Sequence, residues 1–237
     1  MRTLLTCLFL FAGLAACAPV PGPAPQPPRP EAGPSATARQ EAEIAVRRFV
    51  EVVETVEPVA ERECRARTIR AECDFLIVVD DRPGQPPNAF QTRDRRGRPI
   101  IAFTVPLIAE VQNADELAFV MAHEAAHHLL GHIDRQRRDA RTGALVFGEL
   151  ASLTGGGADV VRSAQELGAI VGGRSYSKEY ELEADALGTI LTIRAGYDAL
   201  RGAAFFDRVP DPGNRFLGTH PPNAARLEAV RRAAAGL

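Results

Sequence analysis

From Ala38 to about Arg67 apolar residues recur at Ile44, Phe49, Val52, Val53, Val56 and Val59. That spacing predicts an amphipathic helix, kinked or interrupted at Pro58. Phe75 to Val79 is a short β-branched run that reads as a strand, and Asp81 to Pro87 read as a turn. Asn88 to Thr92 fit a second short strand, followed by a charged loop from Arg93 to Arg98. Ile100 to Val105 fit a third strand, closed by Pro106. This third strand is either a buried strand or an edge along which an extended peptide could add.

Beyond these strands the pattern is helical. Asn113 and Glu116 form a capping-box pattern ahead of Leu117 to Met121, with the helix running to about Leu130 and Gly131 as its left-handed stop. Residues 140–174 are rich in Gly, Ala, Leu and Val yet carry Glu149, Asp159, Arg162 and Glu166. These charges disfavour a transmembrane hairpin and suit a flexible helix-turn-helix lying over the site. Ser177 can cap a helix to about Arg194, Asp198 another to about Arg208, and a last helix should reach about Ala235. The order is helix, then a small set of strands, then helices, with no internal repeat.

Composition adds little to this picture. A hydrophobic fraction of 46% suffices for a core, and a formal net charge of −2 gives no electrostatic case for a nucleic-acid partner. The N-terminus says more. Leu4 to Leu14 form an apolar run too short to span a bilayer but suited to a secretory signal, residues 1–16. It ends in Leu14-Ala15-Ala16-Cys17, which looks like a bacterial lipobox and implies cleavage before Cys17 and lipidation of that residue. Residues 17–37 are then the lipidated cysteine and a Pro-rich tether, and 38–237 the folded domain. With Cys7 in the leader and Cys17 lipidated, Cys64 and Cys73 remain as a disulfide candidate in an oxidising compartment. Two separate thiols, or ligands of a second metal, are the alternatives.

The chemistry-bearing motif is His123-Glu124-Ala125-Ala126-His127. Residues i and i+4 share a helix face, so His123 and His127 can present two imidazoles to one metal ion. Glu124, about a quarter turn round, can reach a water on that metal rather than the metal itself. Zinc lowers the pKa of its water to ~7 and polarises a carbonyl, while a carboxylate takes the proton and returns it to the leaving group. A third protein ligand is still required. The pattern with Gly at 130 and His at 133 fails, because Leu130 and Ile133 stand there. Downstream, Glu181 and Asp185 are four apart and share a face, so one can bind metal while the other supports a ligand histidine. His128 points away from the 123/127 face and is expected at the surface. His132 falls just past the helix end, where a structural role is expected.

Several stretches together resemble the gluzincin metallopeptidases related to HtpX, BepA and the CAAX prenyl proteases. They are Asn88-Ala89-Phe90, HEAAH with His132, Glu181-Leu182-Glu183-Ala184-Asp185 with Gly188, Gly196-Tyr197-Asp198, and Thr219-His220-Pro221-Pro222 with Arg226. The resemblance implies an α+β fold, a mainly helical zincin-like domain with a small β-sheet beside the HExxH helix. It implies one Zn2+ per chain on His123, His127 and Glu181, Glu124 as general base, and Asp185 orienting a ligand histidine. Glu181 is preferred to Glu183 because the family ligand lies four residues before the Asp. His220 stands where such proteins place a histidine that occupies the water position or stabilises the oxyanion, and Arg226 is expected to give structural support.

The expected protein is therefore a zinc metalloendopeptidase on the periplasmic face of the cell envelope, lipid-anchored and leaning towards the outer membrane. Its substrates would be unfolded or misassembled envelope proteins, and nothing in the sequence sets an oligomeric state. The alternative is a latent or chaperone-like scaffold whose zinc site is held shut.

Overall fold

The computed structural model describes residues 35–213, 215 and 218–237. Cys7, Cys17, the signal segment and most of the tether lie outside the described residues. Helix α1 (Ala36–Arg67) buries Val52, Val56, Val59 and Cys64 along one stripe. It runs through Pro58 without the expected interruption. Pro58 and Glu54 both lie on the exposed side, so water can satisfy the Glu54 carbonyl that lacks an amide partner.

Three strands follow, β1 (Leu76–Asp80), β2 (Ala89–Arg93) and β3 (Pro99–Thr104), in the order β1-β3-β2. β1 runs parallel to β3 with Leu76 opposite Ile100, and β2 runs antiparallel to it with Ala89 opposite Phe103. The third strand is thus central and buried, not an edge, and Ile101 and Phe103 are fully covered. The edge beside the site is β2. Nor does Pro106 merely close a strand. Thr104 accepts the Leu107 amide hydrogen and starts helix α2 (Val105–Glu110), where an early proline needs no amide hydrogen of its own.

Helix α3 (Ala114–Leu129) is the structural centre. Asn113 accepts the Glu116 amide hydrogen at 3.0 Å, and Glu116 accepts that of Gln112 at 2.8 Å while pairing with both terminal nitrogens of Arg208 at 2.7 Å. α3 packs against α1, against β2 and β3, and against α6 (Ser177–Arg194) and α7 (Ala199–Ala203). Leu117, Ala118, Met121, Ala122 and Ala125 consequently have almost no exposed surface. Gly131, at φ +66°, reverses the chain into α4 (His132–Leu153). Ser177 does not cap α6 as expected, because its hydroxyl donates back to the Gly173 carbonyl at 3.2 Å. Asp198 does cap α7, accepting from the amides of Leu200 and Arg201. A 3-10 turn (Ala204–Asp207) and α8 (Asn223–Ala235) complete the described chain.

α4 and α5 (Ala158–Ser175) form a hairpin that begins at His132, earlier than the 140–174 segment suggested. It is zipped rather than flexible: a Cβ on Gly168 would lie 2.2 Å from the Gly143 carbonyl oxygen, and one on Gly172 would lie 2.2 Å from that of Asp139. Among the described residues no helix is long and apolar enough to cross a membrane. The architecture is the expected mainly helical α+β domain with a small sheet beside the HEAAH helix. Gly168→Val should force the two hairpin helices apart and cost about 1–3 kcal/mol, read as a lower urea midpoint together with faster amide exchange over residues 143–172.

Candidate metal centre

His123 and His127 project from one face of α3 because they are a helical turn apart. Facing them, α6 carries Glu181, Asp185 and Gly188 at intervals of four and three. The third of these controls the approach: a Cβ at Gly188 would sit 3.0 Å from the backbone nitrogen and Cα of His123. With no side chain there, α6 lies close enough for Glu181 to reach both histidines. His123 Nε2 is 3.5 Å from Glu181 Oε2, His127 Nε2 is 3.4 Å from Oε1, and the two imidazole nitrogens are 3.0 Å apart. The donor atoms of His123, His127 and Glu181 all fall within 4.8 Å of one another. Two imidazoles and a carboxylate are a donor set that suits zinc with a fourth position left open.

Behind this cluster is a buried ion network. Asp185 has no exposed surface. It accepts from His123 Nδ1 at 3.0 Å and from Arg226 of α8 twice, through Nε at 2.8 Å and Nη2 at 2.6 Å. Arg226 also lies 3.6 Å from Glu181 Oε2 and stacks over the Phe206 ring at 4.0 Å. Burial disfavours charge on His123, but the hydrogen bonds it donates to Asp185 and Glu181 outweigh it and push the imidazole pKa up to about 10. Burial likewise opposes ionisation of Asp185 and Glu181, yet the imidazole partners hold Glu181 well below the usual carboxylate range, and His123 and Arg226 hold Asp185 low.

His127 is held by a different chain of contacts. Its Nδ1 is 2.8 Å from Nδ1 of His132, the first residue of α4, and His132 Nε2 is 3.2 Å from Glu183 Oε2. Arg135 pairs with both oxygens of Glu183. One tautomer set satisfies every contact: His132 donates from Nε2 to Glu183 and accepts at Nδ1 from His127, which leaves the His127 Nε2 lone pair aimed at the cluster. Burial and the neighbouring His127 lower the His132 pKa to about 4, so it is neutral at pH 7. The Tyr180 ring stacks on His132 at 4.8 Å and lies beneath Arg135.

Of the sequence-derived candidates, all but Cys17 lie among the described residues. His123, His127 and Glu181 come together, Asp185 stands behind His123, and Glu183 is turned to His132 and Arg135 instead. Glu124 and His220 both line a cleft of about 680 Å³ that also takes in Ala89 and Phe90 from β2. His220 is exposed, with Nδ1 3.1 Å from Glu181 Oε2. Cys64 and Cys73 are paired as a disulfide, their Cα atoms 5.7 Å apart. His128 departs from expectation. It is buried, with Nε2 2.6 Å from the Glu72 carbonyl in the disulfide loop and its ring edge-on to Phe75. α3 is covered on several sides, so pointing away from the 123/127 face does not mean pointing into water. The role of His132 was signalled only by its position just beyond a left-handed glycine, which folds the chain back beside His127.

Residues 47–234, more than three quarters of the chain, match the description Peptidase family M48. The chain belongs to that family. It is also 33% identical over 129 residues to a Vibrio cholerae protein named "Putative beta-barrel assembly-enhancing protease". That alignment takes in 52% of this chain and 26% of the relative, so the chain covers about a quarter of that protein's length. The Asp185–Arg226 pair is a buried ion pair. Arg226→Ala leaves a buried carboxylate with only His123 to compensate it and should cost about 3–5 kcal/mol, read as a drop in the urea midpoint. Arg226→Lys, which keeps the charge but not the paired geometry, should recover part of that loss.

Proposed function

We propose that this chain is a zinc-dependent metalloendopeptidase of the bacterial cell envelope. The observation that carries the reading is the convergence of His123, His127 and Glu181 in a cleft that Glu124 also lines. In this reading His123, His127 and Glu181 hold one Zn2+. When bound, the ion polarises the scissile carbonyl and makes water acidic enough to be deprotonated near pH 7. Glu124 takes the proton of the attacking water and delivers it to the leaving amine. Asp185 fixes His123 through Nδ1, and His132 does the same for His127. The edge of β2 offers backbone groups to an extended substrate, which lies across the cleft as an added strand.

His220 is proposed to stabilise the developing oxyanion. Its contact with Glu181 supports a second reading, in which the resting site is latent and a movement of the loop that carries His220 releases it. A chaperone-like scaffold with the site held shut is the extreme of that reading. Membership of the M48 family and the name of the Vibrio cholerae relative support unfolded or misassembled envelope proteins as substrates. The Cys17 lipobox supports lipid anchoring on the periplasmic face, and Ala18 after it leans towards the outer membrane. The same location supports the Cys64–Cys73 disulfide as a permanent bond.

Purified protein from residue 36 onward should bind one zinc and cleave reduced casein. Glu124→Gln should keep the metal and lose cleavage, and Glu181→Ala should lose the metal while Glu183→Ala binds it more weakly but still measurably. A wild-type protein that retains zinc yet cleaves no unfolded chain, even as His220→Ala, would establish the scaffold reading instead. Because His123 holds a proton at pH 7 in the metal-free state, zinc uptake must displace it. Calorimetry in buffers of different ionisation enthalpy should show about one proton released per zinc at pH 7.

A further inference from the structure

The catalytic reading leaves unused a second cavity, of about 600 Å³. Gln91, His127 and Ile133 line both this cavity and the cleft beside the metal-binding cluster, so the two spaces meet at those residues. β2 gives the direction in which they follow one another. Alternate residues of a strand face the same way, so Ala89, Gln91 and Arg93 share a face. Ala89 borders the cleft, Gln91 borders both spaces, and Arg93 borders the second cavity. A strand rises about 3.3 Å per residue, which puts the second cavity roughly 7–13 Å along β2 from Ala89.

Two fixed turns supply its walls. Between β2 and β3, the Asp94 carboxylate accepts the amide hydrogens of Arg96 at 2.7 Å and of Arg98 at 2.9 Å, and Gly97 turns at φ +91°. On the other side the Cys64–Cys73 disulfide closes the loop that carries Arg70, and His128 ties that loop to α3 through the Glu72 carbonyl. Arg70 and Arg96 therefore line the cavity from backbones that are held in place.

The charges around the cavity leave a surplus of arginine. Arg70, Arg93 and Arg96 line it against Glu72 and Asp134, a net charge of +1. The flanking Asp74, Asp94, Arg95 and Arg98 cancel, Arg137 of α4 lies 4.0 Å from Asp134, and Arg65 and Arg67 in the last turn of α1 are paired with Glu61 and Glu63. Every acid in this group is engaged. Asp134 pairs with Arg93 at 2.6 Å and Asp74 with Arg98 at 3.1 Å, while Glu72 accepts the amide hydrogens of Cys73 and Asp74 at 3.0 and 3.2 Å. Among the described residues, the guanidinium groups of Arg70 and Arg96 have no ion pair. A guanidinium presents a planar fork of donors that matches a carboxylate.

We infer that this cavity is a specificity subsite for the carboxylate of an Asp or Glu side chain in the substrate. The inference rests on the peptidase reading above and deepens it to a sequence preference. Residues opposite one another on paired strands point to the same face, so a substrate residue across from Gln91 or Arg93 turns its side chain toward the cavity. The acid therefore lies about two to four residues beyond the one across from Ala89. A side chain is favoured over a lipid headgroup because the cavity opens onto the cleft at Gln91, which a chain added to β2 must pass.

The test uses zinc-loaded protein and quenched fluorescent peptides with acetylated and amidated termini and no other acid, so that the varied side chain is the only carboxylate. Each carries Glu, Gln or Lys at one position about two to five residues to either side of the cleaved bond, which mass spectrometry locates. At one such position kcat/KM for Glu over Gln should be about tenfold. That advantage should shrink when sodium chloride is raised from about 50 to about 500 mM. Arg70→Gln/Arg96→Gln should bring the ratio near one, and Arg70→Glu/Arg96→Glu should invert it in favour of Lys. Arg95→Gln, in the same turn but outside the cavity, should keep it. If a lower urea midpoint shows that the double change disturbs the fold, Arg70→Glu alone takes its place. Binding of labelled peptides to a Glu124→Gln background, read by fluorescence anisotropy, should show the same ratios, so a protein that cleaves nothing would count against the peptidase reading alone. Equal kcat/KM and equal binding for Glu and Gln at every position would overturn the proposal. So would a preference that survives both arginine changes. Loss of binding to phosphatidylglycerol vesicles in the arginine variants, with the peptide ratios unchanged, would overturn it as well and assign the arginines to lipid.

Discussion

A carboxylate with no contact to water must be compensated from every direction in which it is approached, and Asp185 imposes that requirement on this fold. His123 supplies one partner from α3 and Arg226 supplies two hydrogen bonds from α8. Helices far apart in sequence are thus fixed to one point on α6. Gly188 sets the spacing at which this works, since any larger residue would hold α6 off the backbone of His123. The arrangement of His123 and Glu181 follows from those two facts. It also explains why a C-terminal helix with only two buried residues, Ala229 and Val230, is integral to the domain. Its anchorage is electrostatic as much as hydrophobic, through a guanidinium held between a carboxylate and the Phe206 ring.

His127 and His123 are supported by different chemistry. Behind His123 stand a carboxylate and a guanidinium, whose charges nearly cancel. Behind His127 stands a neutral imidazole, itself bonded to Glu183 and Arg135. Each of the two histidines therefore has its outer nitrogen committed, which fixes ring orientation without adding net charge to the cluster. The Glu72 carbonyl bonded to His128 adds a third restraint, on the last turn of α3, from the loop closed by Cys64 and Cys73.

What was legible in the sequence was what depends on local pattern. The capping of α3 by Asn113, its stop at Gly131, and the shared faces of His123 with His127 and of Glu181 with Asp185 all follow from helical geometry within a few residues. The three strands were placed to within a residue or so at their ends. What could not be read depended on packing partners. The position of β3 in the centre of the sheet depends on pairing that the strand itself does not encode. The burial of His128 depends on the disulfide loop 56 residues earlier in the chain. The unbroken path of α1 through Pro58 depends on which side of the helix faces water. The choice of Glu181 over Glu183 came from family resemblance, and it is α6 packing that turns one toward the histidines and the other toward His132.

The glycine-zipped hairpin has a consequence for how the centre assembles. His127 and Glu181 are 54 positions apart in the chain, a long loop to close by random search. About three quarters of that interval, however, is α4 and α5, whose contacts with each other are made through their own seam. Once the hairpin has closed, its two ends at His132 and Ser177 are neighbours. Joining the two halves of the centre then carries the entropy of a short loop rather than a long one. A pairing that is distant in sequence becomes local in folding order.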